Sequence, residues 1–125
     1  MQICRKMTIH HDFGKKSEDR AVSYLQSKGY EILARNWRFG RAEIDIIARK
    51  ENELVIVEVK ARSTGYFGNP AFFVSRKKIK MMTEAAHEFS KQISWEGEIR
   101  FDIISIVQNQ KENTIEHLEN AFYWF

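Results

Sequence analysis

The apolar run Leu54-Val55-Ile56-Val57, followed at once by Glu58-Val59-Lys60, constrains this chain more than any other stretch. It reads as a strongly apolar strand over residues 53–61. Strand side chains alternate faces, so Glu58 and Lys60 point one way while Val57 and Val59 point the other. A second charged strand lies just upstream, over 42–48, and in it Glu43 and Asp45 share a face around Ile44. Arg49-Lys50-Glu51-Asn52-Glu53 between them has the length and polarity of a hairpin turn. With Glu51 and Asn52 at the tip, Asp45 falls opposite Glu58 and Glu43 opposite Lys60. Two carboxylates facing each other across an antiparallel ladder repel and destabilise it. The repulsion disappears if they share a divalent cation or if one holds a proton.

The chain has 125 residues, with 43% hydrophobic and 30% charged, enough for one domain with a real core. We expect a loose arm over 1–13, in which His10-His11 is a flexible tail rather than a metal tract, and one domain over 14–125. No apolar run approaches the ~20 residues that a membrane span needs, and the N-terminus lacks the apolar centre of a signal peptide. One cysteine, Cys4, excludes an internal disulfide and a multi-cysteine zinc site. These features together point to the cytoplasm and to no membrane partner. Net charge is +3 but unevenly spread: residues 1–80 carry 17 Lys or Arg against 9 acids, and residues 81–125 carry 3 against 8. The charged strands therefore lie in the basic part, which suits an enzyme acting on a polyanion and equally a random surface asymmetry.

Along the chain, the pattern predicts a helix over 16–28 stopped by Gly29, then strands over 30–37, 42–48 and 53–61. A helix follows Ser75, a good N-cap, with a core stripe of Ile79, Met82, Ala86, Phe89 and Ile93. Strands over 99–107 and 114–118 complete the chain, and Asp102 reads as a partly covered edge residue. Glu18 lies near the buried edge of the first helix, either as an ordinary first-turn acid or as a further carboxylate for the site. In Arg35-Asn36-Trp37-Arg38-Phe39-Gly40-Arg41, three arginines alternate with two aromatics. That suits phosphate contacts and base stacking, and it suits a strand end with its aromatics in the core. The stretch from Arg62 to Pro70, with Tyr66 and Phe67, reads as a long loop of functional interest. Arg76, Lys77, Lys78 and Lys80 oppose the dipole of the second helix unless an anion, a phosphate or the carboxylate cluster itself, lies nearby. The C-terminal Ala121-Phe122-Tyr123-Trp124-Phe125 is apolar enough to fold back on the core or to be covered by a partner.

The order α-β-β-β-α-β, with Asp45, Glu58 and Lys60 on its second and third strands, resembles the PD-(D/E)XK nuclease superfamily. A nearer resemblance is to the YraN-like family of small, functionally uncharacterised bacterial proteins. It covers residues 13–122 and rests on Phe13-Gly14 with Glu18, Ala34-Arg35-Asn36-Trp37-Arg38, Glu43-Ile44-Asp45, Val57-Glu58-Val59-Lys60-Ala61-Arg62, Arg100-Phe101-Asp102 and Ala121-Phe122. The family pattern has Gly directly before Glu-Ile-Asp, where Ala42 stands here with Gly40 two residues earlier. The resemblance implies an α/β, restriction-endonuclease-like core: a mixed sheet flanked by helices. It implies a Mg²⁺- or Mn²⁺-dependent nuclease in which Asp45, Glu58 and the Val59 carbonyl hold the metal. Lys60 orients water or stabilises the transition state, and Glu43 and Glu18 tune metal occupancy. Arg38, Arg41, Arg62, Lys77 and Lys78 would contact nucleic acid, DNA before RNA and branched DNA among its forms. Nucleases of this fold are often homodimers. Two other readings stand beside this one: a non-catalytic nucleic-acid-binding module on the same fold, and a partner-binding scaffold whose charged patch is a structural ion cluster.

Overall fold

The computed structural model describes residues 5–63 and 74–122, with side chains from residue 14 onward. The elements are α1 (Arg5–Ser27), β1 (Glu31–Phe39), β2 (Ala42–Lys50), β3 (Glu53–Arg62), α2 (Arg76–Gln92), β4 (Glu98–Gln108) and β5 (Asn113–Leu118). They form a five-stranded sheet in the order β1-β2-β3-β4-β5, antiparallel except for the β3–β4 pair, with the helix α2 crossing between those two strands. This is the mixed sheet with flanking helices that the α-β-β-β-α-β pattern implies.

Each helix covers one face. Ala21 and Leu25 of α1 pack with Ile46, Ala48, Val55, Val57, Ile104 and Ile106. Ile79, Met82, Ala86 and Phe89 of α2 pack with Ile44, Ile47, Leu54, Ile56 and Ile103 on the opposite face. The central strand β3 is thus buried on both sides through Val57, which accounts for its continuous apolar run. Ile93, expected in the α2 stripe, is instead the exposed cap residue after the helix.

Helix ends obey local chemistry. Ser75 caps α2, its side chain accepting the Lys78 N–H at 3.1 Å. At the end of α1, Gly29 takes φ +89°, and Tyr30 N–H bonds Leu25 C=O while Gly29 N–H bonds Gln26 C=O. This is a Schellman cap, and it delivers the buried Tyr30 into the core beside Leu25. At its other end α1 begins at Arg5, well ahead of the expected Lys16, so most of the segment read as an arm has helical backbone. Glu18 is accordingly a mid-helix residue, not a first-turn acid.

Two turns set the site. Glu51 and Asn52 form the β2–β3 tip, as Lys50 pairs with Glu53. Gly40 and Arg41 form the β1–β2 tip, as Phe39 pairs with Ala42, and Gly40 at φ +60° supplies the positive φ that such a two-residue turn requires at its first position. The loop holding Tyr66 and Phe67 and the last three aromatic residues lie outside the described residues. Phe122 is folded back and buried, its ring 5.3 Å from that of Phe101.

Candidate metal and phosphate site

The β2–β3 ladder runs from Lys50–Glu53 to Ile46–Val57 and ends there. The register continues to Asp45 and Glu58 at the next step, but the two strands part at that point. β2 goes on pairing with β1 to its first residue, while β3 goes on pairing with β4 to Arg62. The Asp45 carboxylate occupies the resulting fork, accepting the Val59 N–H at 2.8 Å. Alternation also breaks there: Ile44 packs on the α2 face and Ile46 on the α1 face. Opposite, Asn36 of β1 adopts φ +51°, and Asn36 and Asp45 are skipped in the β1–β2 pairing. The expectation that Glu43 faces Lys60 within a continuous ladder is therefore corrected. Glu43 instead pairs with Arg38 at 2.6 Å.

Glu58 is buried on the α2 face. Lys78 reaches its Oε1 at 2.8 Å, and Lys60, one step along the same face, stands at 4.0 Å. The Oε2 has no hydrogen-bond partner among the described residues. Of the cations at the start of α2, Lys78 thus has its anion, the carboxylate of Glu58. Asp45 feels this arrangement strongly. Burial, the charge of Glu58 and, more weakly, that of Glu18 push its carboxyl up to about 7, against the Val59 N–H and Lys78, which pull it down.

On the α1 face the fork opens into a cleft of about 800 Å³, with Asp45, Glu43, Val59 and Ala61 along its sheet side. Gly14, Lys15 and Glu18 come from α1, and Arg35, Asn36 and Arg38 from β1. Glu18 is fixed there by Arg35 and Asn36, each at 3.0 Å, and Arg35 also binds Asp19 at 2.6 Å. A smaller recess of about 260 Å³ lies beside the β1–β2 turn, lined by Arg41, Ala42, Glu43, Ser75, Lys77, Lys78, Met81 and Met82. Arg62 ends β3 and is half-buried.

The fold therefore brings Asp45, Glu58, Val59 and Lys60 to one fork, adds Glu18 from α1, and sets Arg38 and Arg41 on the projecting hairpin. A profile of the uncharacterised protein family UPF0102 matches residues 17–106. The chain belongs to this family. It is 53% identical to a UPF0102 protein of Flavobacterium psychrophilum over 95% of this chain and 100% of the relative. It is 45% identical to UPF0102 proteins of Christiangramia forsetii and Bacteroides thetaiotaomicron, over 95% and 94% of this chain and 100% and 97% of theirs. The YraN-like resemblance is to this same family. Among the described residues, no helix is long and apolar enough to cross a membrane.

Sequence reasoning missed one polar centre. Asp102 is fully buried rather than a partly covered edge residue. It receives Arg100 at 2.8–2.9 Å, His117 at 2.6 Å and the Asn120 N–H at 3.1 Å. Arg100 also binds Tyr30, Glu53 and Glu119. Burial alone would raise the Asp102 carboxyl; the hydrogen bonds from His117 and Arg100, with the charge of Arg100, hold it below the usual range instead. The signal was Arg100 and Asp102 on one face of an isoleucine-rich strand, where buried charges need partners. This network ties β4 to β5, β3 and the start of β1, and it is a strut.

Proposed function

We propose that this protein is a divalent-metal-dependent nuclease cleaving phosphodiesters at the β2–β3 fork. One observation carries the reading. Among the described residues the Oε2 of buried Glu58 has no partner, and the charge of Glu58, with burial, pushes the Asp45 carboxyl up to about 7. A hard cation shared by the two carboxylates and the Val59 carbonyl answers both strains, and oxygen donors of this kind suit Mg²⁺ or Mn²⁺. When bound, such an ion polarises a phosphate and lowers the pKa of an attacking water. Asp45 and Glu58 hold the charge in place. Lys60, on the Glu58 face, orients the water or stabilises charge on the pentacovalent phosphorus. Glu18 and Glu43 tune occupancy from the cleft walls. Arg38, Arg41, Arg62 and Lys77 position the backbone, while Lys78 holds Glu58 in the absence of metal. We take DNA before RNA as the substrate and the cytoplasm as the place of action. The homodimer read from the aromatic C-terminus rests on residues outside those described, since Phe122 is buried in its own core.

A second reading, a non-catalytic nucleic-acid-binding module, draws on two facts. Among the described residues, no three His, Cys, Asp or Glu side chains gather as a metal site, and Lys78 already neutralises Glu58. The test is cleavage of single-stranded, duplex and four-way-junction DNA and of RNA in Mn²⁺, with wild type beside an identically purified Lys60→Ala. Cleavage by wild type alone supports the nuclease. Equal cleavage by both overturns the role of Lys60. Metal-independent binding without cleavage, retained in Asp45→Ala, favours the module.

A further inference from the structure

We propose that the tip of the β1–β2 hairpin is a stacking platform for an unpaired base, so that the nucleic acid this protein prefers is single-stranded or locally unpaired. This rests on the nucleic-acid reading above but does not need metal or cleavage.

The hairpin parts from its neighbour β3, which itself runs on to Arg62. Pairing between β1 and β2 continues to Phe39–Ala42, whereas β2–β3 pairing stops at Ile46–Val57. The last steps of the β1–β2 ribbon therefore project past the fork. Phe39 at the end of this projection is 42% exposed, one of two large hydrophobic residues so exposed among those described. A single exposed apolar side chain is ordinary. What distinguishes this one is what holds it and what surrounds it. Its ring lies nearly parallel to that of Trp37, 8° apart with centroids at 6.3 Å. Trp37 is in turn anchored edge-on against the core ring of Phe89 at 5.3 Å. The exposed ring is thus the outer member of an aromatic series rooted in the core, a preorganised surface rather than a loose side chain.

Charge completes the argument. Arg41, in the turn next to the ring, is exposed, while Arg38, with a side chain 77% exposed, pairs with Glu43 on the other face of the ribbon. Ala42, the ladder partner of Phe39, lines the recess that also holds Arg41 and Lys77. An exposed π-face with Arg41 and Lys77 in the adjoining recess fits a base and its phosphate, and every base offers such a face only when it is not already stacked within a duplex. Continuous B-form DNA would present phosphates to the arginines and leave Phe39 unused.

The experiment measures binding in EDTA, using DNA and RNA oligonucleotides that carry a single fluorescent 2-aminopurine, each single-stranded and as a duplex. Wild type is compared with Phe39→Ala and Phe39→Tyr. Thermal melts confirm folding, which substitution of an exposed residue should leave intact. Wild type should prefer single strands and quench the reporter. Phe39→Ala should weaken single-strand binding by about 5- to 150-fold with duplex binding unchanged, and Phe39→Tyr should bind as wild type. The DNA and RNA arms show which strand is preferred. Equal wild-type affinity for single strand and duplex, or a Phe39→Ala variant that keeps its single-strand affinity, overturns the platform and leaves the nucleic-acid reading standing. No binding by wild type to any of these oligonucleotides overturns both.

Discussion

Replacing Asp45 with asparagine should stabilise the protein at alkaline pH while removing any metal-dependent activity. In the folded chain the Asp45 carboxyl titrates near 7 rather than 3.8. Between those values the folded state holds a proton that the unfolded state has released. The contribution of this group to stability is therefore complete below the unfolded value and is lost as pH rises through the folded one. A shift of about three units corresponds to about 4 kcal/mol at most. Asparagine carries no charge and still offers an oxygen to the Val59 N–H, so most of that penalty should vanish. Allowing for relaxation at the fork, the gain should be about 2–4 kcal/mol at about pH 8. With unfolding entropy scaling at about 2.1 cal/mol/K per residue, this raises Tm by about 8–15 °C. The assay is differential scanning calorimetry of both proteins at about pH 8 and about pH 4, where the gap should nearly close. A gap independent of pH, or a variant less stable than wild type at the higher pH, would refute the claim that Asp45 is held as a strained anion.

Other substitutions test neighbouring parts. Lys78→Met removes the 2.8 Å partner of buried Glu58; with that lysine side chain 38% exposed, solvent screening limits the cost to about 1–2 kcal/mol in urea unfolding. The same change should tighten Mn²⁺ binding, because the Oε1 is freed. Asp102→Ala strips the buried Arg100 and His117 of their shared anion and should cost about 3–5 kcal/mol. Because the Asp102 carboxyl is held low, its stabilisation is present above the ordinary carboxylate range and lost as pH falls through the lowered folded value, so wild type and variant should converge in acid. Gly97→Ala would press a methyl group onto the backbone carbonyl of Asn52, which already accepts the Glu98 N–H at 2.9 Å. Equilibrium unfolding should show a loss of about 1–3 kcal/mol, and an unchanged midpoint would mean that the β2–β3 tip yields freely.

Most of the fold was legible because its signals are local. Gly29 ended α1, Ser75 began α2, and the polar Glu51-Asn52 between apolar runs fixed the β2–β3 register. The first turns of α1 were not legible, since residues 5–13 show no apolar period. The candidate site was legible in its residues but not in its shape. A ladder drawn from the turn assumes that pairing continues, and nothing in Glu43-Ile44-Asp45 announces that β2 joins β3 only from Ile46 onward. Only the tertiary structure turns Asp45 into the fork and Glu43 toward Arg38. In the Trp37-Arg38-Phe39 stretch the reading that puts the aromatics in the core holds for one of them: Trp37 packs against Phe89, whereas Phe39 is exposed. Asp102 was misplaced because, apart from Arg100 on its own strand, its partners come from β5 and the segment after β5, separations that no local pattern encodes.

The central claim is that Asp45 and Glu58 together form a divalent-cation site. Isothermal titration of Mn²⁺ into wild type, Asp45→Asn and Glu58→Gln at about pH 8, above the value of about 7 to which the Asp45 carboxyl is pushed, tests it most directly. The account predicts one ion bound by wild type, with proton release that grows as pH is lowered toward 7, and no measurable binding by either variant. Mn²⁺ binding that is equally strong in all three proteins, or absent from wild type, would contradict it.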